Sequence, residues 1–314
     1  MHKRDKSPQS KNVLLGVGLS ILVIGIIVWR FIATSSLLSN RERVTVGIYA
    51  AYPFVLSYNK HSTIVTVVWF NPSTKVYVPG GYRWYPFGSV LLLDSIEKKQ
   101  GELVRRMFEE LVGAPVDFVV TPRSVSTLPE APDSFVTFFY RERGRLLPWI
   151  GGSYRVSLGN SIDGYILSNI LRSRNDKLLF VDASASTTTS SKKADGLRYD
   201  SDKLDQVLKG YLYWPSINST NNVRLEIGDS EYYGAAQRIG RMIEGMGIKV
   251  IDISLTKNRN TGSTDCAVYF GPQKKQQGEA LAQHFNCSKQ LSDQEQFKAT
   301  MTIYIGSKLG KLYR

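Results

Sequence analysis

Two cysteines, Cys266 and Cys287, lie close together near the C-terminal end and are the only thiols in the chain. Cys266 opens an apolar strand pattern (CAVYF), and Cys287 follows a helical stretch from about 276 to 285. A helix returning antiparallel to its strand brings its end near that strand's beginning. A disulfide is therefore within reach of the Cα separation limit of ~7 Å, with two free buried thiols as the alternative. The three histidines, His2, His61 and His284, share no metal-ligand spacing, and two cysteines do not make a structural zinc site. No Gly-x-Ser-x-Gly, Ser-x-x-Lys or Walker-type glycine loop is present, so nucleophilic hydrolysis and nucleotide binding have no sequence support. Tyr82, Trp84 and Tyr85 form an aromatic group that could stack on an apolar or sugar surface, or equally pack in a core.

These residues sit in a chain of 314 residues with 42% hydrophobic and 21% charged residues, which is the composition of folded domains. Lys and Arg exceed Asp and Glu by 40 to 27, a net charge of +13. No basic block interleaved with aromatics accounts for it, which argues against a nucleic-acid partner. Residues 1–12 hold a basic cluster (His2, Lys3, Arg4, Lys6 and Lys11 against Asp5), followed by an apolar run from Val13 to Trp29. Counted to Ala33, this run predicts one membrane-spanning helix over 13–33, with 1–12 as a cytoplasmic basic tail and the rest extracytoplasmic. The competing reading is a cleaved signal peptide ending in the small residues 33–36. Either one exports the bulk of the chain, where a disulfide is permitted.

The exported part reads as mixed α/β in two domains, over 44–214 and 222–314. In the first, Val44 to Tyr49 and Thr63 to Phe70 predict strands, and Asn71-Pro72-Ser73 predicts a hairpin turn into Lys75 to Val78. Ser95 to Leu111 places Ile96, Leu103, Val104, Met107, Phe108 and Leu111 on one helical face, stopped by Gly113 and Pro115. Strands are expected over 116–120 and 134–140, a helix or buried segment over 162–170, a surface loop over 183–193 and a helix over 201–212. Residues 215–222 read as a linker. The second domain reads βαββαβ, a small sheet with helices on one face.

The stretch VRLEIGDSEYYGAAQRIGRMIEGMGIKVIDI from Val223, TDCAVYFGP and the closing MTIYIGSKLGKLY resemble the LytR C-terminal domain. The stretches WFNPSTKVYVPGGYR, LLLDSIEKKQGELVRRMFEELVGAPVDFVV and IDGYILSNILRSR resemble the LytR-CpsA-Psr (LCP) domain. That resemblance implies an anchored, outward-facing protein that transfers lipid-pyrophosphate-linked glycopolymer to cell-wall glycan, with arginines on the pyrophosphate and acids on magnesium. Carried over, Arg83 falls, with one gap, at the arginine of the family's Ile-Pro-Arg-Asp motif, next to Trp84 rather than an acid. Arg172 and Arg174 fall in the register of the second arginine motif. Arginine suits phosphate because its planar fork donates paired hydrogen bonds.

The acidic half departs from the family. Ser62 and Thr63 stand where an aspartate is expected, and the turn Ala50-Ala51-Tyr52-Pro53 has no acid. Without carboxylates to hold magnesium, a large part of the transition-state stabilisation is missing. The expectation is therefore a catalytically degenerate relative that binds or scaffolds lipid-linked or wall glycans without a cofactor. The alternative is an active phosphotransferase using Arg83, Arg172, Arg174, magnesium and an unrecognised acid such as Asp94. Transcriptional regulation is disfavoured, because an exported domain cannot reach chromosomal DNA.

Overall fold

The computed structural model describes residues 19–23, 25–26, 29–30, 35, 42–124, 134–142, 154–159, 161–173, 177–189, 196–213, 222–256, 266–292 and 300–314. Among the described residues no helix is long and apolar enough to cross a membrane, which overturns the expected membrane-spanning helix as part of the fold. Within 13–33 only short helical pieces at 19–23, 25–26 and 29–30 are described, and the tail 1–12 lies outside the described residues.

The first domain is built on a six-stranded sheet in the order β7-β6-β1-β2-β3-β8. Its strands are β1 (Arg43–Ile48), β2 (Phe54–Asn59), β3 (Val65–Trp69), β6 (Phe118–Pro122), β7 (Tyr154–Ser157) and β8 (Leu178–Asp182). Both faces are covered, so the central strands are buried along most of their length rather than at alternate residues. Val55, Val68, Val119 and Val181 pack with α1 (Val90–Ile96) and α2 (Glu102–Val112). Val46, Leu56, Val67 and Val120 pack with α3 (Phe135–Glu142) and α4 (Ser161–Ser173). A second sheet has the order β5-β4-β10-β9, from β4 (Lys75–Val78), β5 (Arg83–Pro86), β9 (Thr187–Thr189) and β10 (Leu197–Tyr199). Helix α5 (Ser201–Leu208) follows, capped by the Asp200 carboxylate, which accepts from the Asp202 and Lys203 amides.

Several expectations are corrected. Strand β2 was not foreseen, although it is the antiparallel partner of both β1 and β3. The Asn71 turn forms, with Thr74 N donating to Asn71 O at 3.2 Å, but it makes no hairpin. Strand β3 already has β2 and β8 as neighbours, so the chain crosses to the second sheet, where β4 pairs antiparallel with β5. The expected helix over 95–111 is two helices, broken by Lys98, Gln100 and Gly101, all at positive φ. Where a strand over 134–140 is expected, Phe135–Glu142 is a helix. The aromatic and β-branched composition suggests a strand, but Phe135, Phe138 and Phe139 at helical spacing bury one face against the sheet. Part of the 183–193 loop is strand β9, and residues 190–195 and 214–221 lie outside the described residues.

The second domain is a five-stranded sheet in the order β12-β11-β15-β13-β14. It comprises β11 (Asn222–Ile227), α6 (Tyr233–Gly245), β12 (Lys249–Leu255), β13 (Cys266–Phe270), α7 (Lys275–Phe285), β14 (Ser288–Leu291), β15 (Thr300–Ile305) and α8 (Ser307–Tyr313). The expected βαββαβ order is present with β14 and α8 added. Val223, Leu225 and Ile227 alternate into the core with the helices. Cys266 and Cys287 form a disulfide with Cα atoms 4.9 Å apart, tying the start of β13 to the residues after α7.

Candidate functional site

The two domains meet where the C-terminal half of α2 and helix α5 face α6, α7 and α8. Arg241 of α6 grips the Asp205 carboxylate of α5, with Nε 2.9 Å from both oxygens and Nη2 2.6 Å from Oδ1. It also donates to the Glu110 and Leu111 carbonyls at the end of α2, and Tyr213 donates to the same Asp205. Glu109, fully buried, accepts from Arg105 at 3.0 Å and from the Tyr313 hydroxyl of α8 at 3.1 Å. His284 of α7 stands 3.5 Å from the same carboxylate. Burial pushes the Glu109 carboxyl upward, and Arg105 opposes it. The C-terminal Arg314 carbonyl accepts from the Gly80 and Gly81 amides of the β4–β5 turn, both at positive φ, as a left-handed turn requires.

Beside this junction lies an open cleft of about 290 Å³. One wall is the β4–β5 hairpin. Tyr77 and Trp84 are register partners there, so their side chains share a face, with ring centroids 5.7 Å apart in an edge-to-face pair. The next strand, β10, supplies Tyr199, whose hydroxyl accepts from the Asn71 amide at 2.6 Å and whose burial raises its phenol. Leu111 and Leu204 form the apolar floor. The second domain supplies Arg238, whose guanidinium carbon lies 4.1 Å above the Tyr77 ring. Arg238 donates to the Tyr313 carbonyl at 3.2 Å, and its Nε is 3.6 Å from the Glu110 carboxylate. Arg198 stacks on the other end of the aromatic pair, 4.9 Å from the Trp84 ring. Burial pushes the Glu110 carboxyl up to about 7, against the opposing pull of Arg241 and Arg238 and with Asp205 adding to the rise. The cleft thus joins the half-buried rings of Tyr77 and Trp84, each with a guanidinium on one face, to a carboxyl that burial raises, while Tyr199 is buried behind them. Stacking surfaces beside a few fixed polar groups are the equipment for holding a sugar chain.

The residues expected from the sequence fall on several elements. Arg83 opens β5 at φ +67 and is exposed, on the strand face opposite Trp84. Arg172 lies in the last turn of α4, and Arg174 is outside the described residues. Arg83 belongs to the second sheet and Arg172 to a helix of the first-domain core around the six-stranded sheet. Asp94 is buried and accepts from the Gly101 and Leu103 amides at 2.7 and 2.9 Å, which occupies it in starting α2. Among the described residues no group of three or more His, Cys, Asp or Glu side chains could hold a metal ion. Of the aromatic group, Trp84 lines the cleft, while Tyr82 and Tyr85 pack against the first-domain core. Glu110, Arg238, Tyr77 and Tyr199 were not foreseen. A Glu-Glu pair near the end of an amphipathic helix was the one local signal, and it carries no meaning until the second domain is placed against it.

Comparison with solved structures returns TagT bound to LIIa-WTA, 11% identical over 54% of this chain and 89% of that chain, with a TM-score of 0.39. The Lin1025 protein of Listeria innocua is 11% identical over 55% of this chain and 97% of that one, with a TM-score of 0.37. TagV of B. subtilis is 8% identical over 55% and 96%, with a TM-score of 0.36. No family profile and no curated protein matches the chain.

Proposed function

We propose that the chain is an extracytoplasmic cell-envelope protein that binds glycan in the cleft between its two domains and acts as a scaffold rather than as a transferase. The observation that carries this reading is the Tyr77–Trp84–Tyr199 wall facing Arg238 and Glu110. The Cys266–Cys287 disulfide supports an oxidising compartment. The engagement of both Asp94 oxygens in capping α2 supports binding over phosphoryl transfer through that acid.

Isothermal titration of the full chain with chitopentaose and with solubilised wall glycan tests the proposal. Saturable binding is expected, weakened about tenfold by Trp84→Ala, the loss of roughly one aromatic stacking contact. Absence of binding to either probe, or binding indifferent to Trp84, would sink the glycan-site reading. Magnesium-dependent phosphate release from a polyprenyl-pyrophosphate glycopolymer, abolished by Arg83→Ala, would restore the transferase.

A further inference from the structure

Resting on the cleft as a glycan site, we propose that Glu110 gates it for anionic glycans. When protonated, Glu110 leaves the Arg238 guanidinium to a sulfate, phosphodiester or uronate on the sugar chain. When ionised, it holds Arg238 itself and repels the incoming anion.

The geometry separates the two arginines that face Glu110. Arg241 is committed: its Nε and both terminal nitrogens are engaged by Asp205 and by the Glu110 and Leu111 carbonyls. Arg238 is held more loosely. One terminal nitrogen donates to the Tyr313 carbonyl, and its Nε stands 3.6 Å from Glu110, beyond hydrogen-bond length. A guanidinium has five N–H donors in a flat fork, and this one lies over the Tyr77 ring and lines the cleft. An anion on a sugar stacked at Trp84 therefore competes with Glu110 for the same donors.

The charged groups facing Glu110 are Arg238 and Arg241 from α6 and Asp205 from α5, while the hairpin presents only Tyr77 and Trp84. Asp205 is paired with Arg241, which leaves Glu110 as the burial-raised carboxyl among the residues lining the cleft. Its carboxyl is pushed up to about 7 by burial, which puts the change in its charge in a range the cell envelope meets. Anion binding above that point takes up one proton from solvent.

The test compares chitopentaose with its mono-6-sulfate, whose charge is constant with pH, on the full chain by calorimetry. A site competent only when Glu110 is protonated binds the sulfated probe about tenfold more tightly at about pH 6 than at about pH 8. The neutral probe is expected to show no such difference. Glu110→Gln is expected to bind the sulfated probe equally at both pH values, at the tighter level. Arg238→Ala is expected to remove the preference for the sulfated probe. If both probes bind but the pH difference is absent, or survives in Glu110→Gln of unchanged urea midpoint, the gate is overturned and the glycan site stands. If neither probe binds, both readings fail together.

Discussion

Asp94 and Glu110 are acids on consecutive helices with opposite fates. Asp94 spends both oxygens on the amides of Gly101 and Leu103, inside a buried turn. Glu110 stands at a domain junction, beside a cation it can release. The difference is predictive. Asp94→Ala strands two buried N–H donors and is expected to cost about 2–4 kcal/mol in urea unfolding while leaving chitopentaose affinity intact at temperatures where the variant is folded. Asp94→Asn, which keeps one acceptor, is expected to recover about half. A stable Asp94→Ala that fails to bind would move Asp94 into the site. At this scale the sequence was legible for Trp84 and Cys266–Cys287, whose chemistry is local to a strand or to a strand-helix unit. It was illegible for Glu110 and Arg238, which are 128 positions apart in numbering and meaningful only as a pair.

Among the elements, the α1–α2 junction decides how the cleft's acid is presented. The helical periodicity over 95–111 is real, since Leu103, Val104, Met107, Phe108 and Leu111 are buried as the pattern requires. Ile96, at 67% exposure, is the residue that does not fit, because it belongs to α1 rather than α2. Periodicity counts through a break that only backbone conformation reveals. The break needs Gly101 twice over: its φ is +98°, and a Cβ there would lie 2.7 Å from the Ser157 Cβ of β7. Gly101→Ala is therefore expected to destabilise the first domain by about 1–3 kcal/mol, read as a lowered urea midpoint. An unchanged midpoint would show that α2 does not depend on this approach to the sheet. The helix over 135–142 departs from the expected strand for a related reason. β-propensity is a weak prior, and three phenylalanines packing on the sheet's second face outweigh it.

For the whole molecule, the junction couples stability to binding. The cleft takes Tyr77, Trp84, Tyr199 and Glu110 from one domain and Arg238 from the other, so it exists only while the domains stay docked. Docking is close enough that a Cβ on Gly245, the last residue of α6, would lie 2.1 Å from the Gly113 carbonyl oxygen after α2. The Arg241–Asp205 grip sits beside that contact, with Tyr213 and the α2 carbonyls as further partners. Arg241→Ala leaves Asp205 uncompensated and is expected to cost about 2–3 kcal/mol. Gly245→Ala pushes the same helices apart without touching a charge. Where the parent chain unfolds in one transition, both variants are expected to unfold in two, to weaken chitopentaose binding, and to leave the far-ultraviolet spectrum of the folded chain unchanged. If either variant kept one transition and full affinity, the cleft would belong to the first domain alone, and Arg238 would have no part in holding the ligand.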